Sequence, residues 1–324
     1  FALSNTCNLQ CVMCSGDFSS AIRAHRERLP PLPSRYGPQF LDELRPFLSR
    51  LRQARFLGGE PFLTSEYFQI WDLMIEEGVS IDCNVTTNGT QFGSRVQEVL
   101  DHLPFSIGVS MDGVRAETVE SIRAGASFER IMKNLQRFRE YTLERGTSLS
   151  LTYCLMLPNW SEFADYLLLA EDLGCGVYVN TVMQPPRYSL YRLPVGELAA
   201  IVDAMERRTP AILPRLILNG SVWEGQLRRL RERVRTLTGS GDTEAGRAGR
   251  DWSDLVDRLT EGEMSQARLE HHLGPVAVGG DVSSVACDEQ GVDPGGRRII
   301  KKKKKKLTRN KFKLEIKHLP TMLA

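Results

Sequence analysis

Through residues 1–185, short apolar runs alternate with segments whose apolar residues recur every three or four positions. The runs lie at 1–5, 54–57, 81–86, 105–111, 149–157 and 177–183. Helical stripes separate them. Phe40, Leu41, Leu44, Phe47, Leu48 and Leu51 form the first, with Pro46 expected to kink or restart it. Tyr67, Ile70, Trp71 and Met74 form the next, and Val96 and Leu100 mark the third. Phe128, Ile131, Leu135 and Phe138 carry the fourth, and Phe163, Tyr166, Leu167 and Leu173 the fifth. Strands that alternate with helices imply a parallel sheet, because parallel neighbours need a crossover. The runs are nearly continuous in hydrophobicity, which predicts helices on both faces of that sheet. Six units fall short of the eight that close a barrel. The expected fold is therefore α/β, a partial, TIM-like (β/α)6 barrel, with function gathered at the C-terminal ends of its strands.

The alternation stops after Pro186. Helical patterns recur at 195–207, 222–237 and 252–273, and a short Gly-bearing alternation at 276–285 reads as a strand or hairpin. Three regions are expected: the partial barrel at 1–185, a mainly helical extension at 186–296, and a basic, disordered tail at 297–324. The tail holds 12 Lys or Arg against Glu315 alone, while the rest carries 30 basic and 39 acidic residues. That balance disfavours nucleic-acid binding by the body and leaves it conceivable only through the lysine run at 301–306. No stretch approaches the roughly 18 apolar residues of a membrane span. No signal peptide is visible, so a cytoplasmic location is expected, although the chain opens on Phe1 instead of Met and leaves an upstream segment open.

Seven cysteines are present, and Cys7, Cys11 and Cys14 fall within eight residues with the spacing CxxxCxxC. An odd count with one tight cluster is a poor disulfide framework and a better metal site. Three soft thiolates on a loop can hold three irons of a cubane and leave the fourth open. Two alternatives stand beside this reading. The cysteines could form one buried helical face, or a zinc site with His25 as the nearest further ligand.

Three further motifs end predicted strands: Gly58-Gly59-Glu60-Pro61, Thr87-Asn88-Gly89 and Val109-Ser110-Met111-Asp112-Gly113. Together with the cysteine spacing after the first run, they resemble the radical SAM superfamily across about residues 1–185, the last motif particularly its SPASM and twitch branch. The resemblance implies a [4Fe–4S] cluster on Cys7, Cys11 and Cys14. Its open iron would take the amino and carboxylate groups of S-adenosylmethionine (SAM). Gly58, Gly59, Glu60 and Pro61 would meet the methionine amino group, and Ser110 and Asp112 the ribose or carboxylate. Asn88 would support that pocket, and Arg123 would pair with the carboxylate. Met13 stands where relatives often place an aromatic residue near adenine. No catalytic side chain beyond the cluster is assigned.

The implied activity is reductive cleavage of SAM to a 5′-deoxyadenosyl radical that abstracts hydrogen from an unidentified substrate, a peptide being preferred. It needs an external one-electron reductant of the flavodoxin or ferredoxin kind. SPASM relatives carry additional cysteines for auxiliary clusters. Here only Cys287 lies beyond residue 175, and Cys83, Cys154 and Cys175 read as strand packing, so one cluster is expected. The competing function is a non-catalytic iron–sulfur or zinc protein.

Overall fold

The computed structural model describes residues 1–79 and 81–239. The expected helix at 252–273, the expected hairpin, Cys287 and the basic tail lie outside the described residues. Five parallel strands form one sheet in the order β2 (Gln53–Phe56), β3 (Asp82–Thr87), β4 (Phe105–Ser110), β6 (Leu149–Leu155), β7 (Gly176–Thr181). Two-residue strands β1 (Gln10–Cys11) and β5 (Arg123–Ala124) pair antiparallel as a separate ribbon. Helices α1 (Pro38–Leu48), α2 (Ser65–Glu76), α3 (Ser94–His102), α4 (Ala116–Ile122), α5 (Phe128–Arg145) and α6 (Phe163–Leu173) connect them. After β7 come α7 (Val195–Ile212) and α8 (Gly220–Gly239). Crossover connections between adjacent parallel strands make this the α/β partial barrel expected, with five parallel strands among the described residues where six were expected.

The strands differ from expectation in one respect that matters for function. They alternate. Cys83, Val85, Phe105, Ile107, Val109, Leu151, Tyr153 and Val177 are buried beneath the helices. The intervening Asn84, Thr86, Ser106, Ser110, Ser150 and Thr152 are only half-buried. The sheet is thus covered by a dry core on one face and polar on the other, because side chains alternate with period two. The covering of both faces inferred from hydrophobicity does not hold. Phe56, Trp71 and Phe105 anchor the dry side, with ring centroids 5.3 Å and 5.5 Å from Trp71.

The first run, expected as a strand at 1–5, is not one. Phe1 N donates to Arg55 O and Phe1 O accepts from Leu57 N, which starts a ladder. The following groups then turn elsewhere: Asn5 O accepts from Ser20 N and Thr6 O from Glu60 N. Pro46 does not divide α1. It sits in the last turn, so its missing N–H costs one bond near a helix end. Pro210 likewise falls in the last turn of α7, which runs beyond the expected 207. The extension shares its core with the barrel: Trp223 of α8 stacks on Phe163 of α6 at 5.7 Å, and Asn219 Oδ1 accepts from Val177 N.

Candidate active site

Residues 7–14 form a loop at the C-terminal edge of the sheet, and they are not helical. The buried-helix alternative therefore falls. Short polar contacts shape the loop. Ser20 Oγ accepts from Cys7 N and donates to Cys7 O, both at 3.1 Å. Ser19 Oγ donates to Leu9 O at 2.7 Å, and Arg26 Nη1 donates to Cys11 O at 3.1 Å. Cys14 N closes a turn on Cys11 O. All three cysteines are free thiols, Cys11 buried and the others half-buried. Burial pushes the thiols of Cys7 and Cys11 up, and that of Cys14 to about 12. Bare thiolates are unfavourable here, and a bound cation would supply the missing compensation. His25, the nearest further zinc ligand considered, is exposed on the π-helical turn Ile22–Arg26. Among the described residues no three His, Cys, Asp or Glu side chains converge on a single ion. A cubane makes no such demand, since each thiolate takes its own iron.

Gly58 and Gly59 turn with φ of 81° and 51°. A Cβ on Gly59 would lie 2.3 Å from Thr6 O, so only glycine lets this turn approach the backbone just before Cys7. Glu60 points inward and is fully buried. Its Oε2 accepts from Asn88 N at 2.6 Å, and its Oε1 from Thr87 Oγ1 at 2.7 Å and Phe62 N at 3.1 Å. The carboxylate is therefore committed to the Thr87-Asn88 turn and does not face an ammonium group. Desolvation pushes its pKa up to about 7. Asn88 extends the network: Nδ2 donates to Asn8 Oδ1 at 3.0 Å, Oδ1 accepts from Thr90 N at 2.9 Å, and Nδ2 approaches Cys7 Sγ at 3.9 Å.

The ribbon brings Arg123 to the loop from 112 residues away, pairing it with Cys11. Its Nη1 lies 3.8 Å from Cys11 Sγ and its Nη2 lies 2.8 Å from Asp112 Oδ2. Both charges are buried. Desolvation works against the Arg123 charge, but Asp112 and Cys11 outweigh it and hold the guanidinium protonated. Burial pushes the Asp112 carboxyl up, with Arg123 pulling the other way. Arg123 Nε is buried without a hydrogen-bond partner. Ser110 ends β4 on the polar face, in register with Thr152. Met13 packs on a small apolar cluster of Val12, Ile122, Met156, Val182 and Tyr188. Cys83 and Cys175 are buried as expected, whereas Cys154 lies on the polar face and is half-buried.

Two residues outside the sequence motifs secure this pocket. Asn159 Nδ2 donates to Asp112 O at 2.9 Å and to Cys154 O at 3.0 Å. Glu162 accepts from Val114 N at 2.7 Å and Arg115 Nε at 2.8 Å, and bonds the Thr118 hydroxyl. Their signal was a polar pair, three apart, after the apolar fifth run.

The residues suit an iron–sulfur cluster with a bound SAM. The donor set is three thiols on one loop, the guanidinium beside it has a buried unpartnered N–H, and the glycine turn packs where no Cβ fits. The model of the radical SAM superfamily matches residues 1–170, and the chain belongs to that superfamily, whose members are enzymes using a [4Fe–4S] cluster and SAM. Among its relatives are the AdoMet-dependent heme synthase of Methanosarcina barkeri (strain Fusaro / DSM 804), 27% identical over 184 residues, covering 54% of this chain and 47% of the relative. Another is the mycofactocin maturase MftC of Mycolicibacterium smegmatis (strain ATCC 700084 / mc(2)155), 27% identical over 179 residues, covering 55% and 42%. The chain thus spans about half the length of the curated relatives it matches. Streptococcus suis SuiB bound to S-adenosylmethionine is a similar solved structure, with a TM-score of 0.46 and 13% identity over 65% of this chain and 47% of that one.

Proposed function

We propose that this chain cleaves SAM by one-electron reduction and directs the product toward hydrogen abstraction from a substrate, with peptides the favoured class. The observation that carries the reading is the ribbon that sets the buried Arg123–Asp112 pair directly against Cys11, on the loop that also holds Cys7 and Cys14. When bound, the cluster supplies the electron and the open iron, and SAM the cleavable bond. Cys7, Cys11 and Cys14 are assigned as its ligands. The backbone of Gly58, Gly59 and Pro61 is assigned to the SAM amino group, with Glu60 positioning that turn from behind. Arg123 is assigned to the carboxylate through its unpartnered N–H, Ser110 and Asp112 to the ribose, Asn88 to the support of Cys7, and Met13 to the adenine.

Residues 1–185 are assigned as the catalytic barrel, 186–296 as an extension related to the twitch branch and 297–324 as a tail. The peptide preference rests on a maturase among the relatives, while a heme synthase among them shows how widely substrates differ. Among the described residues no helix is long and apolar enough to cross a membrane, which is compatible with the cytoplasmic assignment. The test is anaerobic reconstitution with iron and sulfide assay, then incubation with dithionite and SAM. About four irons per chain are expected from the cubane stoichiometry, together with release of 5′-deoxyadenosine. Replacing Cys7, Cys11 and Cys14 by Ala should abolish both. Bound zinc with SAM left intact would refute the reading.

A further inference from the structure

The cluster loop lies under one face of the protein whose charge differs from the rest. Residues 1–239 carry 26 basic and 27 acidic side chains, close to neutrality, whereas residues 17–35 carry four arginines against Asp17 and Glu27. Both acids are partly committed. Asp17 lies 3.6 Å from Arg23, and Glu27 Oε1 accepts from Gly16 N at 2.7 Å. Arg26, Arg28 and Arg35 are exposed and, among the described residues, form no ion pair within 4.0 Å. The face is also apolar. Phe18 is 58% exposed, Leu29 45% and Leu32 42%. Pro30, Pro31 and Pro33 restrict the backbone between and beside these leucines, so the rim is stiff before anything binds it.

This surface communicates with the cysteines in two ways. Arg26 is exposed, yet its Nη1 bonds the carbonyls of Gln10 at 3.3 Å and Cys11 at 3.1 Å. A cavity of about 720 Å³ opens here, and its lining includes Cys7 together with Arg23, His25, Leu32, Arg35 and a single acid, Glu66. Apolar side chains ringed by unpaired positive charge suit a small acidic protein, since electrostatic complementarity chiefly sets encounter rate, and transient redox contacts are small.

We infer that this basic, proline-stiffened face around Arg28 and Arg35 is the docking surface for an acidic one-electron donor protein of the flavodoxin or ferredoxin kind. The inference rests on the function proposed above, and deepens it by giving the reductant a place. In the step itself one electron leaves the donor and arrives at the cluster. No bond is made or broken, and the donor is oxidised by one unit as the cluster is reduced by one. Cys7 is part of the cavity's lining and none of the polar-face strand residues is, so a donor docked here meets a cluster ligand while the polar face of the sheet stays free for SAM and substrate.

The test uses the full chain with its cluster reconstituted, and a double variant, Arg28→Glu with Arg35→Glu. Among the described residues neither side chain hydrogen-bonds or ion-pairs with the cysteine loop. Anaerobic stopped-flow absorbance follows bleaching of the cluster by a fully reduced flavodoxin and, separately, by dithionite. The expected result at low salt is a fall of about tenfold or more in the second-order rate with flavodoxin, with the dithionite rate unchanged. The two proteins should converge at high salt, where surface charges are screened. A control variant, Arg130→Glu with Lys133→Glu on α5, should react as the wild type. The lysine-rich tail is present in every protein compared. An unchanged flavodoxin rate in the Arg28/Arg35 variant, or an equal fall in the control, overturns the docking surface while leaving the proposed function intact. If dithionite bleaches no iron–sulfur absorbance even in the wild type, the proposed function fails and the inference falls with it.

Discussion

Glu60 carries more of the site's architecture than its motif suggests. The Gly58-Gly59-Glu60-Pro61 motif was legible as a ligand-facing turn, but the direction of the carboxylate was not. Side-chain direction depends on what the neighbouring strand offers, and here Thr87 and Asn88 offer a hydroxyl and an N–H. The consequence is a buried acid whose pKa rises from the ordinary carboxylate range to about 7. Between those values the folded state holds the proton and the unfolded state has lost it, so stability falls as pH rises through that window. Above it the full contribution is lost, roughly 3 kcal/mol for a shift of this size. Glu60→Gln removes the titration. Urea unfolding of the cluster-free protein at intervals from pH 5 to 8 should show a shallower decline in the variant. Parallel curves for the two proteins would contradict the assignment.

At the level of elements, the five parallel strands and every helix but α4 were readable to within a few residues, because apolar periodicity is strong over ten or more positions. The ribbon of β1 and β5 was not, since two-residue strands have no period to read, and its partners lie over a hundred residues apart. The role of Arg123 came from the resemblance, and the ribbon is what delivers it to Cys11. The turn that ends at Glu162 was also missed as part of the site. It holds the segment after Asp112 from below, through Val114 N and Arg115. Glu162→Ala would strand the half-buried Val114 N–H and Thr118 hydroxyl, each costing about 1–2 kcal/mol. A loss of roughly 2–4 kcal/mol in urea unfolding is expected on that basis. Because Asp112 is displaced while the cysteine loop is not touched, SAM affinity by calorimetry should weaken with iron content preserved. Loss of iron along with SAM binding would place Glu162 in general folding instead.

Over the whole molecule, the alternation of strand and helix was enough to specify an open parallel sheet, but hydrophobicity misjudged its two faces. Strands such as β4 and β6 mix Ser and Thr with Val, Ile and Leu, and a run average hides the period of two that leaves one face polar. The cysteine loop is tied to the rest of the fold by hydrogen bonds from Asn8 to Thr90, from Val12 N to Ile122 O, and by the Arg123 contact at Cys11. A cluster bound at the loop therefore binds the folded chain and stabilises it by linkage. The same linkage makes loading depend on pH. Each cysteine must lose a proton to ligate iron, and burial holds all three thiols above their ordinary value, Cys14 at about 12. At neutral pH each thiol is protonated in the cluster-free protein, so each ligand formed releases one proton. Apparent affinity for the cluster should then rise with pH by up to about tenfold per unit for each of the three thiols. Iron extraction by a chelator, compared at pH 7 and 8, should be distinctly slower and less complete at pH 8. The gain in thermal unfolding temperature on loading should be larger there as well. Extraction that is indifferent to pH would mean that the thiols are already ionised before iron arrives, and that burial does not govern this loop.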